Sequence, residues 1–222
     1  MNEAEWDHCQ NPGLLIEQIG GRATARKVRL FNAASVKLLC GPTTNQIVRS
    51  LLAVAEKMAD GAASRAEIVQ ARLAARRIRR EFPPAPKDEP IWNCVEAVAP
   101  DPFPSFQGIQ VCTTCFVSPS PGPEWSAALW RDAPTWVFLL RELFGNPFRP
   151  VVVDPSWLSW NDSTIPKIAQ AIYDERAFDR LLILADALEE AGCNNADILT
   201  HLRGNGPHVR GCWPVDLILG KS

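Results

Sequence analysis

Apolar residues recur at helical spacing through the first third of the chain. Val28, Phe31, Val36 and Leu39 follow a helical period, and Gly41-Pro42 ends the pattern. A second run of apolar positions continues to Gly61, where the chain turns again. This part of the sequence therefore predicts amphipathic helices separated by short turns.

Two local signals mark helix starts in the same region. Asn2 stands three positions before Glu5, and Ser64 stands three positions before Glu67. In such a capping box the first side chain accepts from the helix backbone, and the glutamate accepts from the backbone of the cap residue. Residues 1–82 are therefore predicted to be helices joined by tight turns.

The middle of the chain is rich in proline. Ten of the 19 prolines lie between Pro83 and Pro123. Because proline lacks a backbone N–H and pushes the preceding residue towards extended geometry, long helices are excluded there. Residues 83–123 are predicted to be an irregular linker or strap.

Helical patterns return after residue 123. They predict helices over 124–130, 135–144 and 164–175, and then an apolar stripe formed by Phe178, Leu181, Leu182, Ala185 and Leu188. Residues 148–155 are bounded by prolines, which favours an extended strap over a sheet strand.

The whole pattern predicts an all-α fold. We expect a helical bundle in two lobes, with a basic lobe over 1–82 and an acidic, tryptophan-rich lobe over 124–222. The proline-rich segment 83–123 is expected to join them.

Composition restricts the class of protein without revealing its function. The chain has 222 residues, a net charge of −2 and 46% hydrophobic residues, as in ordinary globular proteins. No apolar run approaches the length of a membrane span, and the N-terminus is acidic, unlike a signal peptide. With seven scattered cysteines, the sequence predicts a cytoplasmic protein with reduced thiols and no membrane partner.

Charge is distributed unevenly along the chain. Residues 22–80 contain 13 basic and three acidic side chains, whereas residues 91–222 contain nine basic and 15 acidic ones. A basic helix over 65–80 can follow a nucleic-acid backbone through Arg72, Arg76, Arg77, Arg79 and Arg80. The region has few aromatics for base stacking, so a solvated or domain-docking face is the alternative.

Candidate chemistry is concentrated near the C-terminus. His201, His208 and Cys212 lie within twelve residues, with Asp216 close by. A thiol beside imidazoles can act as a nucleophile, which makes His208, Cys212 and Asp216 catalytic candidates. The alternative is that His208 donates to a backbone carbonyl while Cys212 fills core space.

The same residues admit a metal site. Cys112 and Cys115 have the spacing of a metal-binding pair and, with His208 and Cys212, could complete four zinc ligands. A redox role for Cys112 and Cys115 is disfavoured because the segment that follows is too proline-rich to form a helix. The sequence therefore indicates no cofactor, with zinc as the alternative.

Tryptophan is abundant for a chain of this length. Five of the eight tryptophans fall between Trp125 and Trp160. Trp157 and Trp160 follow a loop, where they either clamp the strap onto the helices or form a protein-binding surface.

Four blocks of the sequence resemble a known family. They are RATARKVRLF, FGNPFRP, AQAIYDERAFDRLLILADALEEAG and GPHVRGCW. Together they resemble a large family of uncharacterised proteins from planctomycete bacteria, and the third block is also similar to the planctomycete repeat-companion domain. The resemblance implies no activity and no catalytic residues. The chain departs from the family pattern at Leu202, where the family tends to have cysteine, and at Pro214, where it tends to have an aliphatic residue.

No catalytic signature stands out, so we expect a non-enzymatic protein-interaction or regulatory module that acts through a protein partner. The alternatives are a nucleic-acid-binding protein using the helix over 65–80, and an enzyme or zinc protein using His201, His208 and Cys212.

Overall fold

The computed structural model describes residues 1–40, 46–81 and 123–221, and within these ranges every regular element is a helix. The all-α prediction is confirmed. The helices are α1 (Glu3–His8), α2 (Pro12–Ile19), α3 (Ala25–Cys40), α4 (Gln46–Ala59), α5 (Arg65–Glu81), α6 (Pro123–Phe144), α7 (Pro155–Glu175), α8 (Leu181–Glu190), α9 (Ala196–Leu202) and α10 (Trp213–Ile218). Short 3₁₀ turns, Gly20–Arg22 and Phe178–Arg180, follow α2 and precede α8.

Both predicted capping boxes are present. The Asn2 side chain accepts from the backbone N–H of Glu5, whose carboxylate accepts in return from the Asn2 N–H, both at 2.9 Å. At the start of α5, Glu67 accepts from the Ser64 N–H at 2.8 Å and Ser64 Oγ accepts from the Glu67 N–H at 3.2 Å. Each box satisfies donors that a helix N-terminus otherwise leaves unpaired.

The described residues form two compact units, Met1–Arg141 and Glu142–Ser222. In the first unit α4 packs against both α3 and α5, and the core between these helices includes small residues that allow close approach: Ala33, Ala55, Ala71 and Ala75. The lobe boundaries predicted from the sequence, at 82/83 and 123/124, are not tested by this division and stay a prediction.

The second unit has its own apolar core. α8 packs against α7 and α9, and α10 packs against α7. Ile165, Ile172, Leu184 and Leu188 are fully buried there. Burial of each aliphatic side chain contributes about 1.5–3 kcal/mol to the free energy of unfolding. This core can therefore stabilise the loops and helix ends that pack around it.

The proline-bounded strap contributes to the same core. Val151 and Val153 pack against it, whereas Val152 between them is 84% exposed. Alternate side chains of an extended segment point to opposite sides, which explains this pattern. Residues 150–154 form no helix and no strand.

Two details of the helices differ from the sequence prediction. α6 runs without a break through Pro134, although separate helices were expected over 124–130 and 135–144. One proline removes a single backbone hydrogen bond, and burial of the following turns, including Leu139 and Leu140, offsets that loss. Leu182, expected in the buried stripe of α8, is 54% exposed, because Leu181, Leu184, Ala185 and Leu188 already fill the core-facing positions.

α7 contains a sharp kink. Asn161, Asp162 and Ser163 adopt left-handed backbone angles, and regular helix resumes at Thr164, where the sequence predicted a helix start. No helix in the described part of the chain is long and apolar enough to cross a membrane.

Gly145, directly after α6, touches the side chain of Trp213. Its φ is +65°, and a Cβ added there would lie 3.1 Å from Trp213 Cδ2. Gly145→Ala should therefore lower the free energy of unfolding by about 2–3 kcal/mol, from backbone strain plus displacement of the indole. Urea denaturation would measure this change.

Gly192→Ala is the matched control. Gly192 also has a positive φ, +89°, but no atom lies within 4 Å of its added Cβ. The control should cost only the backbone strain, about 1–2 kcal/mol. Equal losses in the two variants would show that the contact with Trp213 has no energetic role.

Candidate metal centre

The site is built around a buried carboxylate at the end of α6. Glu142 is 1% exposed and lies beside Leu139 and Leu143, which are fully buried. Its Oε1 accepts from the backbone N–H of Val209 and lies 3.2 Å from His208 Nδ1. Its Oε2 lies 3.0 Å from His201 Nε2. A buried carboxylate is tolerated only with such partners.

His201 is positioned by α9, which is capped by Asn195. The Asn195 side chain accepts from the Ile198 N–H at 3.0 Å. The ring directs Nε2 towards the Glu142 carboxylate and also towards Cys212 Sγ, at 3.2 Å. On its other side, Nδ1 accepts from the indole N–H of Trp213 at 3.1 Å. Both ring nitrogens of His201 therefore have partners.

His208 lies in the loop that connects α9 to α10. Its Nδ1 faces Glu142 Oε1 and its Nε2 faces the Gly204 carbonyl oxygen, each at 3.2 Å. Both partners are oxygen acceptors, so this arrangement favours the protonated ring, in which both nitrogens donate. The predicted contact of His208 with a backbone carbonyl is therefore present, together with a carboxylate contact that the sequence did not predict.

The loop itself is anchored at its start. Arg203 Nη2 donates to Asp186 Oδ1 at 2.9 Å and to Glu189 Oε2 at 2.7 Å, both on α8. These ion pairs are exposed to solvent, so they orient the chain more than they stabilise it.

Cys212 completes the arrangement. It is fully buried, caps the N-terminus of α10 and donates its backbone N–H to Val209 O at 3.0 Å. One donor atom each from Glu142, His201, His208 and Cys212 lies within 4.8 Å of all the others. We call these four side chains the Glu142 cluster.

Contacts within the cluster shift the pKa values of Glu142 and His208. Burial would raise the pKa of Glu142, but hydrogen bonds from His201 and His208 and the positive charge beside it lower that pKa to about 2. Burial would likewise lower the pKa of His208, yet the Glu142 carboxylate and the Gly204 carbonyl raise it above its ordinary value. Without a metal, the cluster therefore holds an ion pair.

The structure brings together only some of the predicted site residues. His201, His208 and Cys212 meet, but Asp216, although 1% exposed, is not a member of the cluster. Cys112 and Cys115, the other proposed metal ligands, lie outside the described residues. The one additional ligand found among the described residues is Glu142.

Glu142 was not identified from the sequence because it is remote along the chain from the His/Cys segment. One signal was present: a glutamate stands within the apolar run Phe138-Leu139-Leu140-Arg141-Glu142-Leu143. A carboxylate among core positions needs a buried partner. Which partner it finds cannot be read from local sequence.

The other predicted binding residues lie elsewhere. On α5, Arg76, Arg77 and Arg80 are exposed and Arg72 is half-buried, while Arg79 belongs to the same helix. In α7, Trp157 is 9% exposed and belongs to the core of the second unit, and Trp160 is half-buried against it. The clamping role and the binding roles of these residues stay predictions.

The cluster does not fit the chemistry of a thiol nucleophile. An imidazole that activates a thiol must accept the thiol proton. Here Nδ1 of His201 already accepts from Trp213, so in the neutral ring Nε2 carries the hydrogen and faces Cys212 as a donor. Cys212 is also fully buried.

The donor set does fit a transition metal. Zinc is held at about 2.0–2.3 Å by thiolate sulfur, imidazole nitrogen and carboxylate oxygen, which places tetrahedral ligands about 3.3–3.7 Å apart. The shortest separations in the cluster are 3.0–3.2 Å and none exceeds 4.8 Å. Small side-chain movements would therefore produce metal-ligand distances.

Comparison of the chain with known proteins finds no matching family model, no matching curated protein and no matching solved structure. The resemblance to the planctomycete family is untested by this result and stays a prediction.

The opposite pKa shifts of Glu142 and His208 predict a pH dependence of stability in protein kept in excess chelator. The pKa of Glu142 is lowered from 4.5 to about 2, so its contribution is complete above pH 4.5 and is lost as the pH falls towards 2. The pKa of His208 is raised above 6.5, so its contribution is complete below pH 6.5 and is lost as the pH rises through the raised value. Stability from the pair should be greatest between these limits.

Urea denaturation of wild type and Glu142→Gln from pH 3 to 8 would test this. The variant should lose about 3 kcal/mol near pH 5.5, as expected when one partner of a buried pair is removed, and its profile should be flatter. Asp154→Asn, which changes an exposed capping carboxylate of the same unit, is the control. Parallel profiles for wild type and Glu142→Gln would contradict the prediction.

Proposed function

We propose that the unit Glu142–Ser222 is a zinc-binding module and that the metal binds at the Glu142 cluster. The supporting observation is the convergence of a carboxylate, two imidazoles and a thiol, with donor atoms all within 4.8 Å of one another. This proposal develops the zinc alternative drawn from His201, His208 and Cys212, with Glu142 in place of Cys112 and Cys115.

The kinds of donor favour zinc over the hard cations. Magnesium and calcium prefer oxygen ligands, whereas sulfur and imidazole nitrogen suit zinc and its neighbours in the first transition row. Zinc also accepts carboxylate oxygen as a ligand, so Glu142 is compatible with this choice. Copper binds such donors as well, so the metal content of the purified protein must be measured directly.

Burial also favours a bound ion. Glu142 is 1% exposed, Cys212 is fully buried and the His208 side chain is 8% exposed. The positive charge of a metal in this position would compensate the carboxylate and the thiolate. Because a metal binds a thiolate and an imidazole nitrogen that carries no proton, binding should weaken as the pH falls.

The metal would also fasten separate parts of the chain. Glu142 ends α6, His201 belongs to α9, His208 lies in the following loop and Cys212 begins α10. Because the members of the cluster come from separate segments, metal binding favours the folded arrangement over the unfolded chain. This contribution to folding needs no substrate.

Among the described residues, no comparable cluster of side chains supports the other proposed functions. A non-enzymatic interaction module with a protein partner, and nucleic-acid binding by the arginines of α5, remain proposals that rest on charge and composition. Neither conflicts with a zinc module, since both would use the outer surface of the molecule.

Zinc analysis of protein purified without chelator would test the proposal. Wild type should contain about one equivalent, because the cluster offers one set of ligands. His208→Ala and Cys212→Ala should retain about a tenth of that or less, since each removes a ligand. Zinc added to metal-stripped wild type should raise the thermal midpoint.

Cys193→Ala is the matched control. Cys193 is a buried thiol of the same unit, 2% exposed, and is not a member of the cluster. This variant should keep its zinc even if its stability falls, and circular dichroism would confirm that each variant is folded. Wild type that contains almost no zinc, and gains no stability when zinc is added, would refute the proposal.

A further inference from the structure

The two histidines of the cluster differ in what their outer nitrogens contact. The outer nitrogen of His208, Nε2, faces the Gly204 carbonyl oxygen at 3.2 Å. The outer nitrogen of His201, Nδ1, instead accepts from the indole N–H of Trp213 at 3.1 Å. Because an indole nitrogen can only donate, Trp213 is the donor and His201 Nδ1 is the acceptor in this hydrogen bond.

This difference determines which histidine can bind a metal. A metal-bound histidine almost always donates the N–H of its other ring nitrogen to an oxygen acceptor. His208 meets that condition, with Nδ1 left to face the metal. His201 does not, because a hydrogen on Nδ1 would point at the indole hydrogen of Trp213; its hydrogen is therefore on Nε2, inside the cluster.

The hydrogen on His201 Nε2 has two partners within the cluster. Glu142 Oε2 lies 3.0 Å away and Cys212 Sγ lies 3.2 Å away. A donor placed between two metal ligands orients both of them and stabilises their negative charge. Residues that hydrogen-bond to metal ligands commonly act in this way.

We propose, on the basis of the zinc module above, that only Glu142, His208 and Cys212 bind the metal. His201, held by Trp213, is a positioning residue, and the fourth coordination position takes an exchangeable water or small monodentate anion. Three protein ligands with one exchangeable position are the arrangement of catalytic zinc sites, whereas structural sites have four protein ligands.

Two members of the cluster are adjacent to solvent. The side chain of His201 is 19% exposed, more than that of Glu142 or of His208. A groove of about 430 Å³ runs along the loop of residues 203–207 and includes His208 in its wall.

Cobalt replaces zinc in such sites and reports its ligands by absorption, so the test uses Co²⁺ and sodium azide with the full-length, metal-stripped protein. Wild type should bind one Co²⁺ with a thiolate charge-transfer band, and azide should shift the visible bands in a saturable manner. His201→Gln, which keeps a donor near the Nε2 position, should bind one Co²⁺ and respond to azide in the same way. Its cobalt affinity should fall by about 10–100-fold at most, as for other residues behind metal ligands.

Trp213→Phe tests the role of the indole. Without the indole N–H, Nδ1 of His201 can carry the hydrogen and Nε2 can bind the metal, so this variant should lose the azide response while keeping its cobalt. Trp157→Phe, which changes a buried tryptophan of the same core, is the control and should respond like wild type. An azide response of Trp213→Phe equal to that of wild type would overturn the role given to the indole.

The remaining outcomes separate the two proposals. If wild type binds cobalt but ignores azide, and His201→Ala then gains an azide response, His201 is the fourth ligand; the inference fails and the zinc module stands. If wild type binds neither cobalt nor zinc, the proposed function fails, and the inference that rests on it fails too.

Discussion

The second unit depends on the contacts that compensate the buried carboxylate of Glu142. Removing a charge from water is costly unless hydrogen bonds and opposite charge compensate it. Glu142 receives both from the imidazole of His208, and a further hydrogen bond from the backbone of Val209. These contacts hold the loop between α9 and α10 against the end of α6. The loop in turn leads to Cys212 at the start of α10, so the contacts of one carboxylate join Glu142 to the segment that carries the thiol.

The cluster also illustrates why the neighbours of a ligand matter as much as the ligand itself. His201 and His208 are the same residue type, 5.2 Å apart between ring centres, and both contact Glu142. They differ in having an indole donor behind one ring and a carbonyl acceptor behind the other. On that difference we base the proposed positioning role of His201 and the proposed metal-binding role of His208. Gly145 belongs to the same arrangement, because only a residue without a Cβ lets the Trp213 ring lie against the chain at this point.

Local features of the fold were predictable because their causes are local. The capping boxes at Asn2 and Ser64 depend on side chains three positions apart, and both are formed. The strap at Val151 and Val153 follows from the prolines on either side. Two predictions about the helices were wrong, and each has a physical explanation. Pro134 interrupts one hydrogen bond of α6 without ending the helix, since burial of the later turns holds them in place. Leu182 matched the apolar composition of α8 but not the spacing of its buried positions.

The sequence alone determined the helical class, the positions of several helix starts and the concentration of His201, His208 and Cys212 near the C-terminus, because these depend on periodicity and near neighbours. Only the tertiary structure decided that Glu142 joins them and that Asp216 does not. It also decided which imidazole faces a carbonyl and which faces an indole. Such contacts join segments remote along the chain, and their geometry is set by how the helices pack around a common core. No local pattern of residues encodes the direction in which a distant N–H will point.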